Sequence, residues 1–460
     1  MNTKVLLSMI LITSIAAQSS HATPASSAIE QSDRYRLNAI PKAPSVEPSL
    51  FTAKASSDFF AEEDVEVLLT LNGEQQGDGF GWVAEDLGDI NGDGANDFIV
   101  TAPFFTTNVP FPAGKFYVYS GGDGALLNSV TSPGIPVFGY SAKDAGDVNA
   151  DGVNDYIVGS FSSAMVFSGA NHAVLHQWFR PGEFFGASVG GVGDLNKDGF
   201  DDVVVGASYA SQRAANAGRL YAYSGKTGKL LWKRNGRRAG DELGTATGRI
   251  GDINYDGIPD LVVGARGAGR NDEGRAYVLS GKNGRLIHLL KPVGEPGLTT
   301  DGAGVTAGTF GQFHAFGVGD VTGDNIPDIY VGDYNARQDE VDGSGRGYLY
   351  SGATGKTVHI FRPENLGDGL GPARGVGDVD NDGFNDLFIA AYTFTGGSAA
   401  GKGYLYSGAN KELLRSMTGT VASAFLGVDA LGSGDINGDG LVDLMLTGNG
   451  VLHIIAGQPH

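Results

Sequence analysis

The chain has 460 residues, 52 acidic against 32 basic side chains for a formal net charge of −20, and no cysteine. That balance disfavours nucleic acid as a partner, because phosphate binding needs a basic face, and the missing thiols exclude disulfides and thiolate zinc sites. The 74 Gly, 24 Phe and 17 Tyr suit many short strands joined by tight turns, and the length allows a large core.

Met1-Asn-Thr-Lys4 precedes an apolar run from Val5 to Ala17 and a small-x-small stretch, Ser20-His-Ala22, so residues 1–22 read as a secretory signal. The run is shorter than the roughly 20 residues that a membrane span takes. No transmembrane segment is expected, and the expected location is secreted, periplasmic or at the cell surface. Residues 23–64, rich in Ser and Ala with Pro41, Pro44 and Pro48, read as a flexible leader or linker.

From residue 65 to residue 460 one unit recurs, which sets the architecture before any single motif does. Its marker is an acidic nonapeptide beginning at Asp89, Asp147, Asp194, Asp252, Asp320, Asp378 and Asp435, with starts 58, 47, 58, 68, 58 and 57 residues apart. The first copy, Asp89-Ile-Asn-Gly-Asp-Gly-Ala-Asn-Asp97, offers Asp89, Asn91, Asp93 and Asp97 as side-chain ligands and Ala95 through its carbonyl. The second offers Asp147, Asn149, Asp151, Val153 and Asp155 in the same order, and the third Asp194, Asn196, Asp198, Phe200 and Asp202. The fourth has Asp252, Asn254, Asp256, Ile258 and Asp260, and the fifth Asp320, Thr322, Asp324, Ile326 and Asp328. The sixth has Asp378, Asp380, Asp382, Phe384 and Asp386, and the seventh Asp435, Asn437, Asp439, Leu441 and Asp443.

Alternate side chains of a tightly turning loop point at one centre, and Gly at the sixth position allows the positive φ of the turn. Six to eight oxygens from such side chains and the seventh carbonyl suit calcium, whereas magnesium asks for stricter octahedral geometry. Up to seven calcium ions are therefore expected. Turn geometry alone needs only Gly or Asn, yet every copy keeps at least three carboxylates, 22 in all as three in each of six loops and four in the sixth. The loop lacks the bidentate Glu of an EF-hand, and its ninth residue opens an apolar run such as Asp97-Phe-Ile-Val100, so it joins two strands. The fifth site is expected to be weakest, with Thr322 at the third position and Asn325 where the others have Gly.

Around each loop lie four short strands. Strand a starts at an apolar-Gly pair: Phe80-Gly81, Phe138-Gly139, Phe185-Gly186, Leu243-Gly244, Phe310-Gly311, Leu370-Gly371 and Leu426-Gly427. Strand b follows the loop, strand c carries Tyr-x-Tyr-Ser-Gly as in Tyr221 to Gly225, and strand d follows a turn such as Thr227-Gly228. Four antiparallel strands per period make a propeller blade. The last unit lacks strand d, while Val65 to Leu71 precedes the first strand a. The fold class is thus all-β, a seven-bladed β-propeller of four-stranded antiparallel blades in which the N-terminal strand completes the last blade.

Other motifs fall inside the repeat. Gly186-Ala-Ser-Val-Gly190 matches a nucleophile-elbow pattern but lies in strand a, where the strand-turn-helix context is missing, so Ser188 reads as a repeat residue. Trp232 reads as a strand-d packing residue, and Lys229, Lys233, Arg234, Arg237 and Arg238 as a solvated outer strand and loop. The eight His show no metal spacing, and no catalytic constellation is visible.

The apolar-Gly pairs, the acidic loops and degraded Gly-Ala-Pro segments such as Gly206-Ala-Ser208 resemble the FG-GAP repeats of the integrin alpha-chain N-terminal propeller. The resemblance implies calcium on one face of the ring and partners on the other. This chain departs from it in carrying a near-complete loop in every unit, and integrin-like signalling is not implied. Strand order places the b–c and d–a connections on the face opposite the acidic loops, and these are the segments that vary. Phe104, Phe105, Tyr209, Arg213, Arg266, Arg270, Tyr334, Arg337, Tyr392 and Phe394 are the candidate contacts there. The expected function is a secreted calcium-binding adhesion or recognition module for a protein or polysaccharide ligand, monomeric and not an enzyme. A polysaccharide lyase or glycosidase on the same scaffold is the alternative.

Overall fold

The structure, a computed structural model, describes residues 59–107, 111–132, 134–269, 272–293, 309–336, 343–394, 396 and 399–459. Residues 1–22, read as a signal, and most of the stretch read as a leader lie outside the described residues, as do Arg270 and Arg337.

Among the described residues, twenty-eight strands form seven four-stranded antiparallel sheets, each with its strands in the order a-b-c-d. Blade 3 is representative: Phe185–Gly193, Asp202–Ala207, Arg219–Tyr223 and Leu230–Asn235. Its b and c strands are buried along their whole length, and its outermost strand d is partly exposed. The innermost strands touch their neighbours all the way round, including Ala430–Gly434 of blade 7 against Ala84–Gly88 of blade 1, so the ring closes.

The core is seven clusters, built mainly where one blade packs against the next. The first residue of every apolar-Gly pair sits in one of them, at 2% exposure or less. The glycine that follows is there for space as well as conformation. At Gly186 φ is +96°, and an added Cβ would stand 2.1 Å from the Ser163 carbonyl oxygen of the preceding blade.

Closure by the N-terminal strand is as expected from the strand count. Val67–Asn72 pairs antiparallel with Val451–Ile455, setting Leu69 against Ile454 and Leu71 against Leu452. Residues ahead of that strand, within the stretch read from sequence as linker, also belong to the fold. Phe60 is 1% exposed and bridges Gly419. The Glu62 carboxylate accepts hydrogen bonds from the Ser416 and Thr418 hydroxyls and the Thr418 amide. Arg415, in strand d of blade 6, donates to the carbonyls of Asp64 and Ala456. Residues 59–66 therefore tie blade 6 to blade 7.

Ser188 and Trp232 take the structural roles expected of them. The Ser188 hydroxyl donates to the Gly244 carbonyl at 2.9 Å, and the Trp232 indole N–H to the Gly281 carbonyl at 2.7 Å, each joining blade 3 to blade 4. Within the basic cluster, the Arg234 guanidinium donates to the Gly284 carbonyl, so it too serves the blade junction.

Candidate metal loops and the opposite channel mouth

All seven acidic loops adopt one hydrogen-bonded geometry. The first Asp receives the fifth-position amide on Oδ1 at 3.0–3.3 Å. It receives the sixth-position amide on Oδ2 at 2.7–2.9 Å. The fifth-position Asp in turn receives the seventh amide at 2.8–3.2 Å. These bonds hold the first and fifth carboxylates on the inside of one tight turn, where a cation would meet both.

Two positions of the turn are left-handed. The sixth was expected, and Asn325 does adopt φ +62° there. The fourth is left-handed as well, including Ala150, Lys197, Tyr255 and Asn381 at φ +59° to +61°. Each such non-Gly residue costs roughly 1–2 kcal/mol, which the loop's hydrogen bonds must offset.

The ninth Asp does something that its spacing alone did not reveal. It is fully buried in every loop. One oxygen accepts the second-position amide at 2.7–3.1 Å. The other accepts the amide of the Gly that ends strand c, from Gly121 to Gly457, also at 2.7–3.1 Å. This carboxylate thus ties the acidic loop to the segment that follows strand c of its own blade, which in blades 1 to 6 is the c–d turn. Burial pushes the carboxyls of Asp97, Asp155 and Asp260 up to about 6 and that of Asp202 up to about 7, against the lowering effect of those amides.

The donor set fits a hard divalent cation. A buried carboxylate is costly without counter-charge, and a cation in the loop would supply it. In the sixth loop one oxygen each from Asp378, Asp380 and Asp382 lies within 4.8 Å of the others, close enough for one cation to meet all three. In three loops the third-position Asn donates its amide to the fifth carboxylate, Asn91 to Asp93, Asn149 to Asp151 and Asn437 to Asp439, while Asn254 donates to the ninth carboxylate, Asp260. The first, third and fifth side chains with the seventh carbonyl would hold the ion, and the ninth Asp would brace the cage and lend charge.

On the opposite face the variable connections meet over the central channel, above a cavity of about 510 Å³. Of the ten residues singled out there, Phe104, Tyr334 and Tyr392 line this cavity. Tyr209 stacks on Phe184 at 4.6 Å, Arg266 is paired with Glu242, and Arg213 is exposed. Phe105 and Phe394 are buried at 9% and 7% exposure beneath Lys115 and Lys402, so they pack locally and form no contact surface.

Sequence reasoning missed the centre of the mouth. Trp82, Tyr140 and Phe313 meet there, with ring centroids 5.4 Å apart for Trp82–Tyr140, 6.1 Å for Trp82–Phe313 and 6.0 Å for Tyr140–Phe313. These rings come from blades 1, 2 and 5, so they span the channel. Their signal lay in the repeat register, since Trp82 and Tyr140 each directly follow an apolar-Gly pair. Below the rings, Lys143 pairs with Glu85, and Arg374 lies 3.4 Å from Asp429 and 3.7 Å from Glu85.

Comparison with known proteins agrees with this architecture. The FG-GAP repeat family matches residues 81–119, 185–223 and 245–279, each stretch running from strand a through the acidic loop to strand c. Integrin alpha-PS5 of Drosophila melanogaster is 34% identical over 136 residues, 27% of this chain and 13% of its own length. Integrin alpha-4 of Xenopus laevis is 28% identical over 182 residues, 38% of this chain and 16% of its own. Human integrin alpha-7 is 38% identical over 96 residues, 20% of this chain and 8% of its own, so these alignments span only a small part of the relatives. With three matched repeats and seven loops built alike, the chain carries FG-GAP repeats in a seven-bladed propeller that resembles integrin alpha chains.

Proposed function

We propose that this protein is a calcium-binding recognition module, exported from the cytoplasm, that holds a protein or polysaccharide ligand on the face opposite its acidic loops. The observation that carries this reading is the contrast between the two faces. One presents seven loops with identical hydrogen bonding, as expected of a structural metal system. The other gathers non-repeating aromatic residues over a cavity, as expected of a surface selected for contact.

Calcium in this reading stiffens the blades from below, and the variable connections carry specificity above. Similarity to integrin alpha chains supports recognition over catalysis. The test compares attachment to cells and immobilised polysaccharides, with product release followed alongside, for Asp252→Ala and for Tyr334→Ala and Tyr392→Ala at saturating calcium. Loss of attachment in the aromatic variants with unchanged melting, and lowered melting with unchanged specificity in Asp252→Ala, is the expected pattern. The reverse pattern would place the ligand on the metal face, and release of soluble fragments would make the protein an enzyme.

A further inference from the structure

The channel mouth has the chemistry of a particular ligand class. Lys143, Ser188, Thr247, His314, Arg374 and Asp429, one from each of blades 2 to 7, line its floor, and Glu85 of blade 1 pairs with Lys143 beside them. Two cations and two carboxylates lie there, and they are paired among themselves. The Arg374 guanidinium also lies 3.8 Å from the Phe316 ring centroid and donates to its neighbouring Ala373 carbonyl. The floor therefore holds no surplus charge for an ionic ligand.

Two polar groups on that floor lack a partner. His314 is 8% exposed and Thr247 is 3% exposed, and both line the cavity. Among the described residues, neither the His314 Nδ1 nor the Thr247 Oγ1 has a hydrogen-bond partner. Buried polar groups are normally satisfied, so an orphan in a native fold calls for a ligand or water to complete it. Burial keeps the His314 ring neutral, its pKa held down to about 3, so it offers a hydrogen bond and no charge.

The walls add a second requirement. Trp82, Tyr140, Phe313, Tyr334 and Tyr392 present ring faces and edges around the opening. Phe313 and Phe425 hold this place with φ of +68° and +51°, a left-handed backbone that bulky side chains rarely adopt. Such strain persists only where the surrounding structure enforces it.

Aromatic walls above an uncharged polar floor match a molecule with apolar faces and hydroxyl edges. We infer that the channel mouth takes the end of a neutral glycan chain. Its pyranose rings lie against the aromatic walls, and its terminal hydroxyls complete the His314 Nδ1 and the Thr247 Oγ1. At about 510 Å³ the cavity is within the usual range for small-molecule sites, roughly 300–1,000 Å³. This rests on the recognition reading and narrows it to one ligand class and one mode, entry end-on into the channel.

The test is titration calorimetry of the full calcium-loaded chain with neutral gluco-, manno-, xylo- and N-acetylglucosamine oligosaccharides, beside a polyuronate and an arginine-rich peptide as charged probes. One neutral series is expected to bind, and Thr247→Val and His314→Ala are expected to weaken it about three- to tenfold each. Melting temperatures taken in parallel separate lost contacts from lost folding, and His314→Asn, which restores a polar atom near Nδ1, should recover part of the affinity. Binding of a charged probe in preference to every neutral sugar would overturn the inference, and so would a neutral sugar whose affinity neither variant changes. If the protein attaches to cells or polymers while all the short neutral chains fail, the recognition reading stands and the channel assignment falls. If nothing attaches, both fall.

Discussion

At the residue scale, the nine positions of the acidic loop divide into two kinds of carboxylate that look alike in sequence. The first and fifth face the inside of the turn, while the ninth is sealed and bonded to backbone on both oxygens. Asp260→Ala would strand the buried amides of Ile253 and Gly281, each worth roughly 1–3 kcal/mol when left unsatisfied, so a loss of about 2–5 kcal/mol is expected with or without calcium. Asp252→Ala should instead cost the calcium-free protein about 1 kcal/mol and show most of its effect as weakened calcium binding. Melting both variants in chelator and in calcium checks this, and equal losses in chelator would mean that the ninth carboxylate has no separate structural role. Spacing revealed the oxygens because ligation is periodic. It could not reveal the tie to Gly281, because that partner lies 21 residues on and is placed by the blade, and no property of the loop encodes it.

At the element scale, the strand count alone located the closing strand, since an unpaired strand at each chain end leaves one arrangement that hides both edges. The contribution of residues 59–66 was not visible in the same way. Phe59 and Phe60 have no alternating neighbours to mark them, and their partners, such as Gly419 and His453, are far away in sequence. A chain beginning at Phe59 should melt like one beginning at Thr23, whereas one beginning at Val65 should melt lower, through loss of the Glu62 and Phe60 contacts, and one beginning after Leu71 should aggregate. Identical melting of the first three would show that the clamp adds nothing.

The same junction has a pH dependence. His453 shares a hydrogen bond with the Thr70 hydroxyl at 2.9 Å, and burial holds its pKa down to about 4. The unfolded chain, with its histidine near 6.5, takes up a proton first as pH falls, so this contribution is full above about 6.5 and is lost toward 4. The ninth-position carboxyls, raised by burial, titrate with the opposite sign. The histidine effect is therefore read as a difference: between pH 7 and 5 the native chain should lose more melting temperature than His453→Leu, and equal losses would refute it.

At the scale of the whole molecule, the ring is closed by packing that repeats seven times, and its charge is concentrated on one side. The 22 loop Asp alone match the formal net charge of −20 of the whole chain, so the calcium-free protein carries a self-repelling face. Seven divalent ions would cancel fourteen of those charges. Two consequences can be measured together. Elemental analysis should find close to seven calcium ions per chain, with Asp320-Val-Thr-Gly-Asp-Asn-Ile-Pro-Asp328 the first site to empty, because Thr322 replaces an Asn or Asp ligand and Asn325 takes the left-handed turn position that Gly holds in the other loops. Chelation should lower the melting temperature, and the drop should shrink as sodium chloride is raised, because the Debye length falls from about 10 Å at 0.1 M to about 3 Å at 1 M and screens repulsion between neighbouring exposed loops. Calcium that acted only as a local brace for each turn would give a drop insensitive to salt. A drop that vanishes in high salt would instead show that charge neutralisation is the main service the ions perform. The geometry supports a mixture, in which the part that survives high salt reports the braced cages and the part that disappears reports the shared field of the face.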